Sequence, residues 1–159
     1  MRSRKLSSTE LVEAHLARIE AVNPRLNAVV LVTAEAALEE ARAADTALAR
    51  GEIAGPLHGV PMTVKDALET AGVVCTGGTV GRADFVPQSD AITVARMRAA
   101  GAILLGKTNL PEFSIAYESD NALFGRTNNP YDVTRTAGGS TGGEAAIIAA
   151  CGSPMGLGS

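Results

Sequence analysis

Hydrophobic and polar positions along the chain follow two periods. Near the start, Val12, Leu16 and Ile19 recur at helical spacing, with Glu13, Arg18 and Glu20 on other faces. Ser7 and Glu10 precede them as an S-x-x-E pair, in which each side chain can cap the other's backbone donor. The spacing predicts a helix beginning there. Asn23-Pro24 is expected to end it, because the residue before a proline is pushed out of the helical region. A short apolar stretch over residues 28–32 leads to a second helix, over roughly residues 34–50, with Gly51 as its terminator.

Further on, the period shortens. Residues 60–64 have strand character interrupted by Pro61, which predicts an edge or irregular strand ending at Lys65 and Asp66. Ser89 reads as the cap of a helix through Ala100, closed by Gly101, and residues 102–105 as a short buried strand. Helix, glycine, apolar strand is the rhythm of a layered α/β fold. The last pair is a glycine loop over residues 138–143 and a helix over about residues 144–150.

Composition narrows the class. A chain of 159 residues with 46% hydrophobic and 19% charged residues can bury a core and reads as globular. Aromatics make up 3%, so small residues must carry close helix-on-sheet packing. The net charge of -3 leaves no basic footprint, and a nucleic acid is not expected as a direct partner. Cys75 and Cys151 are far apart without C-x-x-C spacing, which argues against a disulfide framework or zinc site and for a reducing, cytoplasmic setting. No apolar run reaches membrane-spanning length, and the charged N-terminus lacks the apolar centre of a signal peptide. Nothing in the sequence implies a metal or organic cofactor.

Two stretches suggest chemistry. Residues 101–108, GAILLGKT, match the phosphate-loop pattern G-x-x-x-x-G-K-[ST]. The residues between the glycines are those of a strand, however, and Pro111 follows closely, so a helix starting at Lys107 is awkward. The nucleotide reading is therefore the weakest, testable by ATP titration, and Lys107 is expected as a solvated strand-end lysine. The second stretch is RTAGGSTGGEAA, residues 135–146. Its loop could cradle an anion at a helix N-terminus, present a hydroxyl, or simply turn the chain. Glu144 in the helix's first turn already complements the dipole and would repel a phosphate.

A serine hydroxyl needs a base, and a neutral lysine can serve. Lys65 follows Pro-Met-Thr-Val, and burial beside apolar residues disfavours a lysine's charged form. Only His15 and His58 offer imidazoles; the first lies on a helix away from any motif and the second reads as a loop residue. A Ser-His-Asp triad is disfavoured. Spacing alone does not join Lys65 to Ser140.

The segments GPLHGVPMTVKD, GKTNLPEFS, GRTNNPYDVTRTAGGSTGGEAA and GSPMGLGS occur in that order. Together they resemble the amidase signature family of amide-bond hydrolases, over nearly the whole chain. The resemblance implies an α/β fold with a mixed central sheet flanked by helices. It also implies a Ser-Ser-Lys arrangement in place of Ser-His-Asp. Lys65 matches the family's base. Ser140 matches its bridging serine, which is held by a cis peptide bond and relays a proton from the nucleophile to the lysine. Thr141, Gly138, Gly139 and Asp66 match supporting positions. A small-molecule amide is the implied substrate, and a homodimer would be unsurprising.

Two departures stand out. Thr141 replaces the second serine of the motif, keeping the hydroxyl and adding a methyl that should crowd it. The family's attacking serine lies in a D-x-G-G-S segment just after the stretch matching residues 156–159, together with its oxyanion-hole amides. The sequence stops there, so the expectation is the N-terminal part of one amidase signature domain, with no turnover of its own and with a sheet edge left open. Neither Ser153 nor Ser159 matches the nucleophile. A second reading within the family is the A-type component of a glutamine-dependent tRNA amidotransferase. The segment NLPEFSIAYESDNALFGRTNNPYD and Glu144, where such components carry a small residue, lean towards general amidases. A non-catalytic binding protein that reuses the fold is the third reading. The substrate's identity is beyond the sequence, although the family's acyl pocket draws partly on residues 109–114.

Overall fold

The computed structural model describes residues 6–159; the charged residues 1–5 lie outside the described residues. The chain begins with helix α1 (Ser8–Leu26), strand β1 (Val29–Val32) and helix α2 (Ala34–Ala49). Strand β2 (Pro61–Lys65), helix α3 (Ile92–Ala99) and strand β3 (Ile103–Thr108) follow, then helix α4 (Gly142–Ala149) and the two-residue strand β4 (Gly156–Leu157).

Helix α1 starts as its sequence predicts. The Ser7 hydroxyl accepts from the Glu10 N–H at 3.0 Å, and the Glu10 carboxylate accepts from the Ser7 N–H at 2.8 Å. Asp45 of α2 adds a second cap by accepting from the backbone N–H groups of Ser8 and Thr9. The helix does not stop at Asn23-Pro24. It runs through Pro24 to Leu26 and closes on Asn27 in the left-handed conformation, whose N–H donates to the Asn23 carbonyl. The Asn23 side chain accepts from the N–H groups of Ala28 and Val29, so it shapes the exit one turn later than expected. Helix α2 ends as anticipated, with Gly51 at φ 80°.

The sheet order is β1-β3-β2-β4, with β1 antiparallel to β3 and both other pairings parallel. Strand β2 is thus interior and wholly buried, not an edge. Pro61 is tolerated because it is the strand's first residue, a position that asks least of the missing N–H. The expected irregularity is present: the β2–β3 register slips between Met62 and Thr63. Ser89 is not the cap of α3 either. The helix starts two residues later on an extended Ala91, while Asp90 accepts from the Ala71 N–H and pairs with Arg98.

Helices cover both faces of the sheet. On one face Val12, Ile19, Ala37, Ala41, Ile147, Ile103 and Leu105 form a core joining α1, α2 and α4 to the strands. On the other, Met62, Val64 and Leu104 pack against Val94 of α3. This is the mixed α/β sheet flanked by helices that the resemblance implied. Residues 101–108 contain no phosphate loop: Lys107 and Thr108 belong to β3 itself. A Cβ on Gly106 would lie 2.2 Å from the Leu31 carbonyl oxygen, so this glycine serves close strand approach.

Lys107 is completely buried, contrary to the solvated position expected for it. Strand β3 is interior and buried on both faces, so either face would bury this lysine, and the register slip decides which face it takes. Met62 pairs with Leu104 but Thr63 with Gly106, so Leu105 has no opposite residue. One extra residue reverses the alternation beyond it. Lys107 then lies opposite Val64, and Thr108 opposite Lys65.

Candidate active site

Side chains alternate along β2, so Thr63 and Lys65 face α4 while Met62 and Val64 face α3. Lys65 is the last residue of the strand and has no exposed surface. Its Nζ lies 2.7 Å from Ser140 Oγ, 3.2 Å from Thr141 Oγ1 and 2.9 Å from Ser159 Oγ. Burial pushes the Lys65 amine below the ordinary lysine value. An amine so placed donates to these hydroxyls when protonated and accepts a proton from one of them when neutral.

The loop that carries Ser140 is held from behind. The Gly139–Ser140 peptide is cis and Gly138 sits at φ 80°. The Ser119 N–H donates to the Gly138 carbonyl at 2.9 Å, and the buried Ser119 hydroxyl accepts from the Gly142 N–H at 2.9 Å. Gly143 sits flush against the end of β3, where a Cβ would come within 2.4 Å of the Asn109 nitrogen. Its own N–H donates to the Asn109 carbonyl. These contacts fix where α4 begins and therefore where Ser140 points.

The Thr141 hydroxyl bonds to the Ser159 backbone. Its Oγ1 donates to the Ser159 carbonyl at 2.6 Å and accepts from the Ser159 N–H at 3.2 Å. The crowding from its methyl is absorbed by Gly158, where a Cβ would lie 2.3 Å from Thr141 Cγ2.

Asp66 does not join this cluster. Its Oδ2 accepts from the N–H and hydroxyl of Thr76, and its carbonyl accepts from the Gly77 N–H, so it braces the turn after β2. Its Oδ1 lies 3.8 Å from Lys107 Nζ, which donates to the Leu68 carbonyl and to Thr70. Burial pushes the Asp66 carboxyl up and the Lys107 amine down, each opposed by the other's charge. His58 spans two backbone groups, with Nδ1 accepting from the Ala54 N–H and Nε2 beside the Ala44 carbonyl, a bracing role. Both cysteines are free, Cys75 buried and Cys151 exposed.

A lysine amine and a loop serine meeting across 75 positions, next to a cis Gly-Ser peptide, can be compared with known proteins. The family model described as Amidase matches residues 10–159. The chain belongs to the amidase signature family. It is 47% identical over 148 residues to the A component of the glutamyl-tRNA(Gln) amidotransferase of Desulfatibacillum aliphaticivorans, covering 93% of this chain and 30% of that protein. It superposes on a 6-aminohexanoate cyclic dimer hydrolase with a TM-score of 0.88 and 39% identity, over 99% of this chain and 31% of the other. A bacterial aryl acylamidase of the amidase signature family gives a TM-score of 0.89 and 35% identity, over 94% and 31%. The chain thus spans about a third of the length of these relatives.

Within this amidase signature chain, the structure adds partners that sequence reasoning missed. Ser159, set aside as a nucleophile, is in contact with Lys65. Ser119 sits in an irregular segment with no periodic signal. The sequence showed Glu144 as a first-turn acid and as a departure from the amidotransferase pattern, with no partner for its side chain. In the fold it is 3% exposed, with Oε2 accepting from the Thr63 hydroxyl at 2.6 Å and Oε1 from the Thr108 hydroxyl at 3.0 Å. It lies in the first turn of α4 as expected, but burial raises its pKa to about 7, so it is not the plain dipole-complementing carboxylate the sequence suggested. Among the described residues, no helix is long and apolar enough to cross a membrane.

Proposed function

We propose that this chain supplies the base and the proton relay of an amidase that cleaves a carboxamide C–N bond through a Ser-cisSer-Lys mechanism. The 2.7 Å contact between Lys65 Nζ and Ser140 Oγ carries the reading. Neutral Lys65 takes the Ser140 hydroxyl proton as Ser140 takes one from an attacking serine. That serine's oxygen bonds to the carbonyl carbon, the C–N bond breaks, and the stored proton leaves with the amine. Water then repeats the sequence and releases the acid. The attacking serine is assigned to a D-x-G-G-S segment of the whole protein, and not to Ser140, Ser153 or Ser159. Residues 109–114 are assigned to the acyl side of the substrate site, where Phe113 is 55% exposed.

The named hydrolase and acylamidase neighbours support this reading. The decisive experiment is stoichiometric labelling of the intact protein by a fluorophosphonate, followed by mapping of the modified serine. Modification beyond residue 159, lost in a Lys65→Met variant, is expected. Labelling of Ser140 or Ser159, or no labelling, would overturn it.

A second reading is favoured by the curated relatives, which are named as the A component of glutamyl-tRNA(Gln) amidotransferases and share 42–49% identity. The same Lys65–Ser140 pair would then release ammonia from glutamine for a partner protein. Glutaminase activity that appears only with a co-purified partner distinguishes it from free hydrolysis of aryl or aliphatic amides.

A further inference from the structure

The Lys65–Ser140 relay leaves Glu144 without a task. Yet this carboxyl sits where the pieces of the site converge. It lies in the first turn of α4, three residues after Thr141 of the relay loop. Its two oxygens receive hydroxyls from different strands, Thr63 of β2 and Thr108 of β3. Thr63 is on the same face of β2 as Lys65, and Thr108 is the register partner of Lys65.

A third strand closes on the same group. A Cβ at Gly156 of β4 would lie 1.9 Å from Glu144 Oε2, within the volume that the carboxyl occupies. Gly156 pairs with Thr63, and shortly after it the chain reaches Ser159, whose hydroxyl contacts Lys65. The carboxyl therefore touches or abuts every strand that leads into the Lys65 cluster.

We propose that Glu144 is a positioning residue: its carboxyl ties β2 to β3 beneath the relay loop, seats Gly156 of β4 against itself, and so holds Lys65, Ser140 and Ser159 at hydrogen-bond distance. It touches none of the reacting groups and acts through Thr63, Thr108 and the bare backbone of Gly156. Loss of the carboxyl frees the start of α4 from Thr63 and Thr108 and removes the group against which Gly156 of β4 packs. An ångström of drift at a proton relay is costly, since transfer requires the two heavy atoms to stay at hydrogen-bond distance. The inference rests on the Lys65–Ser140 relay proposed above.

The test reads the second-order rate constant of fluorophosphonate labelling on the intact protein, with folded content checked by circular dichroism. Glu144→Ala is expected to slow labelling about a hundredfold in folded protein, the scale of ångström misplacement. Glu144→Gln, which can still accept from one threonine and donate to the other, is expected to restore most of the rate. Gly156→Ala is expected to slow labelling in the Glu144 background and to add nothing in Glu144→Ala. If Glu144→Ala does not fold, Thr108→Val removes one tie with little change of shape and is expected to slow labelling as well. Folded Glu144→Ala or Thr108→Val with the wild-type rate would overturn the assignment, as would equal slowing by Gly156→Ala in both backgrounds. A wild-type protein that is not labelled at all would overturn the relay reading, and the Glu144 assignment with it.

Discussion

Lys65 Nζ and Ser140 Oγ are 2.7 Å apart although 75 positions separate them in the chain. One sits at the end of an interior strand and the other on the loop that opens α4. The sheet buries the amine and the loop brings a hydroxyl to it, so the pair exists only because β2 and α4 are packed together.

Removing the amine from the intact protein should remove the base. Lys65→Met keeps the stem's packing and loses the proton acceptor. Serine labelling and amide turnover should fall by about 10²–10⁴, the usual weight of general base catalysis. Ser140→Ala should fall on the same scale, and the double variant should lose little more, because the two act as a unit. Rate constants for the three variants check this.

The pH profile follows from the direction of the Lys65 shift. Burial lowers its folded value from 10.5, and only the neutral amine can accept a proton. Labelling should therefore rise with pH and level off above an inflection below the ordinary lysine range. A profile still climbing without inflection through that range would contradict a buried lysine base.

Glu144 carries a stability signature separate from its positioning role. Its folded pKa of about 7 lies above the ordinary 4.5, so the folded state holds its proton more tightly than the unfolded chain. The associated stability is full below pH 4.5 and is lost as pH rises to about 7. The shift corresponds to on the order of 3 kcal/mol. Glu144→Gln does not titrate, so its stability relative to wild type should improve across that window. Urea midpoints of both proteins at several pH values measure it.

Lys107 is a structural partner of Asp66 and not a nucleotide ligand. Lys107→Met should strand a buried carboxyl and cost about 3–5 kcal/mol. Asp66→Asn with Lys107→Met should cost less than the single change. Denaturant titration reads both, and ATP should leave the wild-type midpoint unchanged.

The local rules in this sequence reached as far as neighbouring residues can act. The Ser7–Glu10 cap, the Gly51 stop and the strand-end placement of Lys65 depend on contacts within a turn or on the alternation of a single strand. The resemblance of the four motif segments extended that to Ser140, Thr141 and the cis Gly139–Ser140 bond. Beyond that range the same reasoning failed. Pro61 argued for an edge, yet a first-residue proline costs an interior strand little. Lys107 argued for solvent, yet β3 is covered on both faces, and the slip at Leu105 only sets which buried face the amine takes. Glu144 argued for a dipole charge, yet strands β2, β3 and β4 converge on it. Charge, helix caps and motif spacing are properties of short stretches of chain and are legible there. Burial is a property of what packs against a residue from elsewhere, so the register of β2 on β3 decided the environments of Lys107 and Thr108, and the meeting of three strands decided that of Glu144.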